Sequence, residues 1–148
     1  MVGYGWIFVA ASVLLAGHAH AEDTQACVTH YKQEGNFMLG RRFSTWGTVA
    51  TPQPQAFKQI YRDAIKSGMK VVSSDKDVGA LTLEQPDAGT TFGGDDDQVS
   101  LHWDILVEEN GSGSKISVNN STPPSYPVSK KHEMTLMCQI IASGAGKS

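Results

Sequence analysis

The sequence predicts an α+β fold: a four- to five-stranded antiparallel sheet with two helices packed on one face, in the order β-α-β-β-β-β-α. Three observations predict it. Phe57, Ile60, Tyr61, Ala64 and Ile65 recur at helical spacing behind a proline-marked start. Val99, Leu101, Trp103, Ile105 and Val107 alternate with mostly polar neighbours, the pattern of a strand with one buried face. A Gly/Ser turn at Asn110–Ser114 leads into another strand, and a serine-started apolar stretch closes the chain.

In order, residues 22–42 form a polar N-terminal arm, a short helix or irregular segment in which Val28, Tyr31, Phe37 and Leu39 are the residues able to pack. The α+β domain proper spans 43–142. Phe43–Ala50 is rich in β-branched and aromatic residues and reads as a strand. Pro52 and Pro54 suit the first turn of a helix, where a backbone N–H has no partner to lose, and Gly68 suits its end. Met69–Ser73 and Val78–Glu84 read as strands joined by a Ser-Asp-Lys-Asp turn, the second with Leu81 and Leu83 on one face. A Gly-rich loop follows to Asp97. The alternating strand 98–108 pairs with Lys115–Asn119. Ser129 caps a helix to about Ala142 with Leu136, Met137, Ile140 and Ile141 inward, and 143–148 forms a flexible tail.

This order resembles the TBP-like arrangement and, more loosely, the helix-grip fold of START-type lipid-binding domains. It also looks like small bacterial envelope domains of unknown function, with Phe43–Glu84 carrying the likeness: a strand, a proline-started helix, a Gly68-Met69-Lys70-Val71 strand and a glycine-containing hairpin. The resemblance implies a fold and, through the helix-grip domains, a cavity for an apolar ligand. It implies no catalytic site.

Residues 1–21 read as a cleavable signal peptide. Trp6–Ala16 is uncharged and mainly apolar, and Ala19-His20-Ala21 is a small-x-small site. The apolar run is shorter than the ~20 residues of a membrane span. The n-region lacks Lys and Arg, which departs from the usual pattern. Export to the periplasm or the extracellular space is expected, with no transmembrane span after cleavage. In that compartment Cys27 and Cys138 are expected to form a disulfide between the chain's two ends.

Twelve Lys and Arg against fifteen Asp and Glu give a net charge of −3, without the basic face that nucleic acid requires. Asp95, Asp96 and Asp97 form the densest charge cluster, and carboxylates on a flexible loop suit Ca²⁺. Their spacing is not that of an EF-hand, and neighbouring side chains on an extended segment diverge. The weak metal candidates are therefore Asp95, Asp97 and His102. Ser100, His102 and Asp104 share one strand face, but a catalytic triad needs groups converging from separate segments. Cys27, His30, His132 and Cys138 lack zinc-finger spacing. Trp46, Phe57, Tyr61 and Trp103 are expected in the core, or as the lining of a pocket left between sheet and helices. Asn110, Asn119 and Asn120 head glycosylation sequons.

No cofactor motif occurs, and no catalytic residue stands out. The expected function is non-enzymatic: an exported domain that binds a protein or an envelope component. The alternatives are a carrier of a small apolar ligand and a metal-assisted hydrolase using Asp95, Asp97 and His102. Oligomeric state is not legible from the sequence.

Overall fold

The computed structural model describes residues 19–94 and 96–146. Its elements are α1 (Ala19–His30), β1 (Lys32–Asn36), β2 (Gly40–Val49), α2 (Gln53–Lys66), β3 (Lys70–Asp75), β4 (Ala80–Gln85), β5 (Leu101–Asn110), β6 (Gly113–Thr122) and α3 (Lys130–Gly144). The strands form a single antiparallel sheet in the order β1-β2-β6-β5-β4-β3. The α+β class stands. The described residues hold six strands and three helices, where the sequence suggested four to five and two.

Both additional elements lie in the stretch expected to be an arm. Every residue of β1 is exposed, so it has no apolar alternation to announce it. It exists because its backbone pairs with β2, from Lys32 opposite Ser44 to Asn36 opposite Gly40. In α1, Cys27 is fully buried and bonded to Cys138 of α3, with the two Cα atoms 5.7 Å apart. The predicted signal peptide lies outside the described residues except for Ala19–Ala21, which fall in the first turn of α1.

Strand parity then decides what each face carries. Phe43, Thr45 and Val49 of β2 point to the same side as Ile116, Val118 and Asn120 of β6 and Trp103, Ile105 and Val107 of β5. All are buried beneath the helices. The opposite face carries Trp46, Ser117, Asn119, His102, Asp104 and Leu106, and Leu106 is exposed on it. Trp103, Phe43, Leu81, Leu83, Ile116, Ile60, Met137 and Ile141, all at most 2 % exposed, fill the space between sheet and helices.

The helix α2 rests on Gln53, Ala56, Phe57, Ile60 and Ala64. Gln53 is held in place by donating its side-chain amide to the carbonyl of Val107 (3.3 Å). The contact stripe is narrow. Tyr61 is therefore only partly buried, and Ile65, expected inside, is rotated about 100° from Ala64 and lies 51 % exposed. In α3 the Ser129 hydroxyl accepts from the His132 N–H (3.1 Å), as a helix cap does. Its inward stripe is Glu133, Met137, Ile141 and Gly144, with Leu136 and Ile140 half-buried. The helix runs through Ser143 and Gly144, both buried, where a flexible tail was expected to begin. Gly144 packs so closely on the Ile116 side chain that a Cβ would collide with it. That contact ties the end of the helix to the sheet. Among the described residues no helix is long and apolar enough to cross a membrane.

Candidate binding surface at one end of the sheet

Three connections meet at the end of the sheet where β6 finishes: the β1–β2 turn, the β4–β5 loop and the β6–α3 connection. Backbone hydrogen bonds bind them together. The Ser125 N–H donates to the Phe37 carbonyl (2.7 Å), and the Phe92 N–H donates to the Ser125 carbonyl (2.7 Å). The long loop is closed on itself by Ala88 N–H to Val99 O (2.9 Å) and Val99 N–H to Gly89 O (2.7 Å). The Tyr126 hydroxyl donates to the Ala88 carbonyl. The Arg41 guanidinium reaches across to the carbonyls of Tyr126 (2.7 Å) and Val128 (2.9 Å). Segments far apart in sequence thus become one organised surface.

That surface is apolar. Phe37, Met38 and Leu39 at the turn and Phe92 on the loop are exposed to 38, 69, 80 and 78 %. Phe37 and Leu39 are among the residues the sequence marks as able to pack. Instead, Asn36 takes the Met38 and Leu39 N–H groups on its side-chain oxygen (3.0 Å each), closing a tight turn that projects all three side chains outward. Gly40 completes it at φ 97°, where a Cβ would stand 2.9 Å from the Thr122 carbonyl. A hollow of about 390 Å³ flanks the turn, lined in part by Glu34, Leu39, Arg41, Arg42 and Thr122.

Beneath this end lies a buried polar cluster that the sequence reading did not find. Glu133, 1 % exposed, accepts a hydrogen bond from the Asn120 side-chain amide. Burial raises the Glu133 pKa above the ordinary carboxyl value, opposed by the Asn120 hydrogen bond and by His132 and Arg41 nearby. Tyr31 is pushed up to about 12, chiefly by burial and then by Glu133, with Arg41 opposing; Tyr126 is raised by burial and by Glu133. The Tyr31 hydroxyl, the Asn120 side-chain carbonyl and the Thr122 hydroxyl are buried without a hydrogen-bond partner among the described residues. One signal was available: Glu133 precedes Met137 and Ile141 by four and eight positions on the same helical stripe.

The residues singled out in the sequence fall elsewhere. Asp95 lies outside the described residues. Asp96 and Asp97 are exposed on the loop. His102 stands on the open sheet face, 3.7 Å from Glu84, which also faces Lys70 at 3.8 Å. Asp104 instead accepts from Thr82 (2.8 Å), so His102 and Asp104 pair across the sheet with β4. Among the described residues no group of three His, Cys, Asp or Glu is placed to hold a metal ion. Cys27 and Cys138 are bonded to each other and offer no thiolate for zinc. Trp103 is fully buried and Phe57 nearly so. Trp46, also expected in the core, lies half-buried on the open face. His30 stacks on it at 3.5 Å between centroids and Lys115 sits 4.8 Å from its ring. Asn120 is 2 % exposed, which removes it as a glycosylation acceptor in the folded chain, whereas Asn110 and Asn119 are exposed.

Fold and surface together define a small antiparallel α+β domain with an apolar end. No protein-family model matches the chain, and no curated protein is similar to it in sequence. Solved structures similar in shape include Ara h 8.0201 (14 % identity, TM-score 0.44, covering 72 % of this chain and 96 % of that one). Another is CalU16 from Micromonospora echinospora (9 %, TM-score 0.48, 78 % and 82 %). A third is the conserved protein of unknown function EF2215 from Enterococcus faecalis (7 %, TM-score 0.48, 86 % and 81 %). Likeness at this level carries no functional argument.

Proposed function

We propose that the chain is an exported, non-enzymatic binding module that engages a protein or an envelope component through the apolar end formed by Phe37, Met38, Leu39 and Phe92. The observation that carries this reading is the exposure of four large hydrophobes on segments locked together by the Ser125 hydrogen bonds. A soluble domain gains nothing in stability from such a patch, and contiguous exposed apolar surface marks interaction sites. The patch is also rigidly presented, so little ordering entropy opposes association.

Export is supported by the apolar run before Ala19-His20-Ala21 and by the disulfide, a bond favoured in oxidising compartments. The carrier reading is not favoured by any specific feature, since the space between sheet and helices is occupied by Trp103, Phe43, Met137 and their neighbours.

The test is co-sedimentation of the purified protein with membranes of its source cell, with their proteins in place. The wild type is expected in the pellet and the Met38→Ser/Phe92→Ser double variant in the supernatant. Equal distribution of the two would remove the apolar end as the binding surface.

A further inference from the structure

We propose that the open face of the sheet carries a binding site for a phosphate group, in the hollow where the end of α1 meets β2 and β6. The site is separate from the apolar end and goes beyond the binding-module reading.

Strand register builds it. Lys32, Ser44 and Asn119 stand side by side across β1, β2 and β6, and Trp46 stands opposite Ser117 in the next row of the same face. With His30 they line a hollow of about 390 Å³. The chain carries a net charge of −3, yet among the described residues no Asp or Glu lines this hollow. Every polar side chain there is able to donate a hydrogen bond. Two of the hydroxyls are already spent, Thr29 on the Gln25 carbonyl (2.8 Å) and Thr45 on the Cys27 carbonyl (2.6 Å). Lys32, Ser44, Ser117 and Asn119 remain for a ligand.

Trp46 decides the kind of ligand. His30 stacks on the indole at 3.5 Å between centroids, and the Lys115 ammonium sits over it at 4.8 Å. The ring therefore leaves little open face on which a sugar or a base could stack, and holds basic groups on this side of the sheet instead. A carbonyl only accepts, so His30 Nδ1 carries the hydrogen that meets the Trp46 carbonyl (3.2 Å), which fixes the imidazole against the strand. Among the described residues neither Lys32 nor Lys115 belongs to a side-chain ion pair. The neighbouring carboxylates stay outside the hollow. Asp104, beside Asn119, accepts from Thr82 on β4, while Glu34 lies opposite Arg42 and Glu108 opposite Lys115. Lysine and hydroxyl donors suit a compact tetrahedral phosphate. A planar carboxylate is best met by a guanidinium fork, and among the described residues no arginine lines this hollow.

The experiment is a residue-resolved NMR titration of the disulfide-bonded protein with glycerol phosphate and with inorganic phosphate, against sodium acetate and sodium chloride at matched ionic strength. Saturable amide shifts are expected at Lys32, Ser44, Trp46, Ser117 and Asn119 with the phosphates alone. Tighter binding of glycerol phosphate supports the site with an esterified ligand, and the reverse order supports it with the free ion. Lys32→Gln is expected to weaken binding roughly fivefold, the order of one exposed charge contact, while Lys58→Gln on α2 leaves it unchanged. Both lysines are exposed, so neither substitution disturbs packing. Shifts that do not saturate, or that chloride reproduces, overturn the proposal, because they reduce the hollow to ordinary surface charge. Full affinity in Lys32→Gln, an equal loss in Lys58→Gln, or acetate binding as tight as phosphate overturns it as well.

Discussion

The Asn120 side-chain amide donates to the Glu133 carboxyl, joining the last strand to the first turn of α3 beneath the apolar end of the molecule. Both side chains are sealed from solvent. The pair lies just below the β6–α3 connection, whose Ser125 holds the turn that carries Met38 and Leu39. It therefore supports the surface proposed to bind.

The titration of Glu133 follows from its burial. Its folded pKa is raised, so the folded state holds the proton more tightly than the unfolded chain does. The stability linked to this group is fully present below the unfolded carboxyl pKa and is lost as pH rises through the raised folded value. Glu133→Gln keeps the size and cannot ionise. The difference in melting temperature between wild type and Glu133→Gln is expected to shift against the wild type as pH rises from acid toward neutral. A difference independent of pH would mean that Glu133 titrates as an ordinary carboxyl. Glu133→Ala, which strips Asn120 of its partner, is expected to cost about 1–3 kcal/mol.

Joining Cys27 to Cys138 closes a loop with a sequence separation of 111 residues. Reduction, or replacement of both cysteines by Ser, is expected to lower the unfolding free energy by about 2–5 kcal/mol. Urea titration with and without reductant measures it. Coincident curves would show that the cross-link adds nothing to stability.

Gly144 marks where α3 lies directly on Ile116. Gly144→Ala is expected to destabilise by about 1–3 kcal/mol through overpacking, despite alanine's better helix propensity. Stabilisation by this substitution in a thermal melt would place the end of α3 away from the sheet.

Intact mass of the protein recovered from its host tests export. A chain beginning at Glu22 is expected. Retention of Met1 would make the apolar N-terminal segment an anchor and move the proposed attachment away from the β1–β2 turn.

The parts of this fold that bury a patterned face were legible in the sequence. Val107, Ile105, Trp103 and Leu101 alternate because β5 has a helix-covered side and a wet side, and Ser129 announces α3 because capping is local chemistry. β1 was not legible, since Lys32-Gln-Glu-Gly-Asn contributes only backbone to the sheet. The apolar end was illegible for a different reason. Phe37, Leu39 and Phe92 look like core residues in one dimension, and only the hydrogen bonds through Ser125 show them gathered and left outside. Trp46 misled in the same way, because the parity of β2 sends it to the open face with Ser44 and Thr48. Glu133 was overlooked because a charged residue near a helix start is ordinarily solvated.

Two substitutions of equal chemistry at exposed apolar positions test the central claim most directly. Leu39 lies at the apolar end and Ile65 on the outer side of α2, and both are more than half exposed. In co-sedimentation with native membranes, Leu39→Asp is expected to release the protein into the supernatant while Ile65→Asp stays in the pellet with the wild type. Release by Ile65→Asp alone, or the same distribution for both variants, would contradict the assignment of the β1–β2 turn as the working surface.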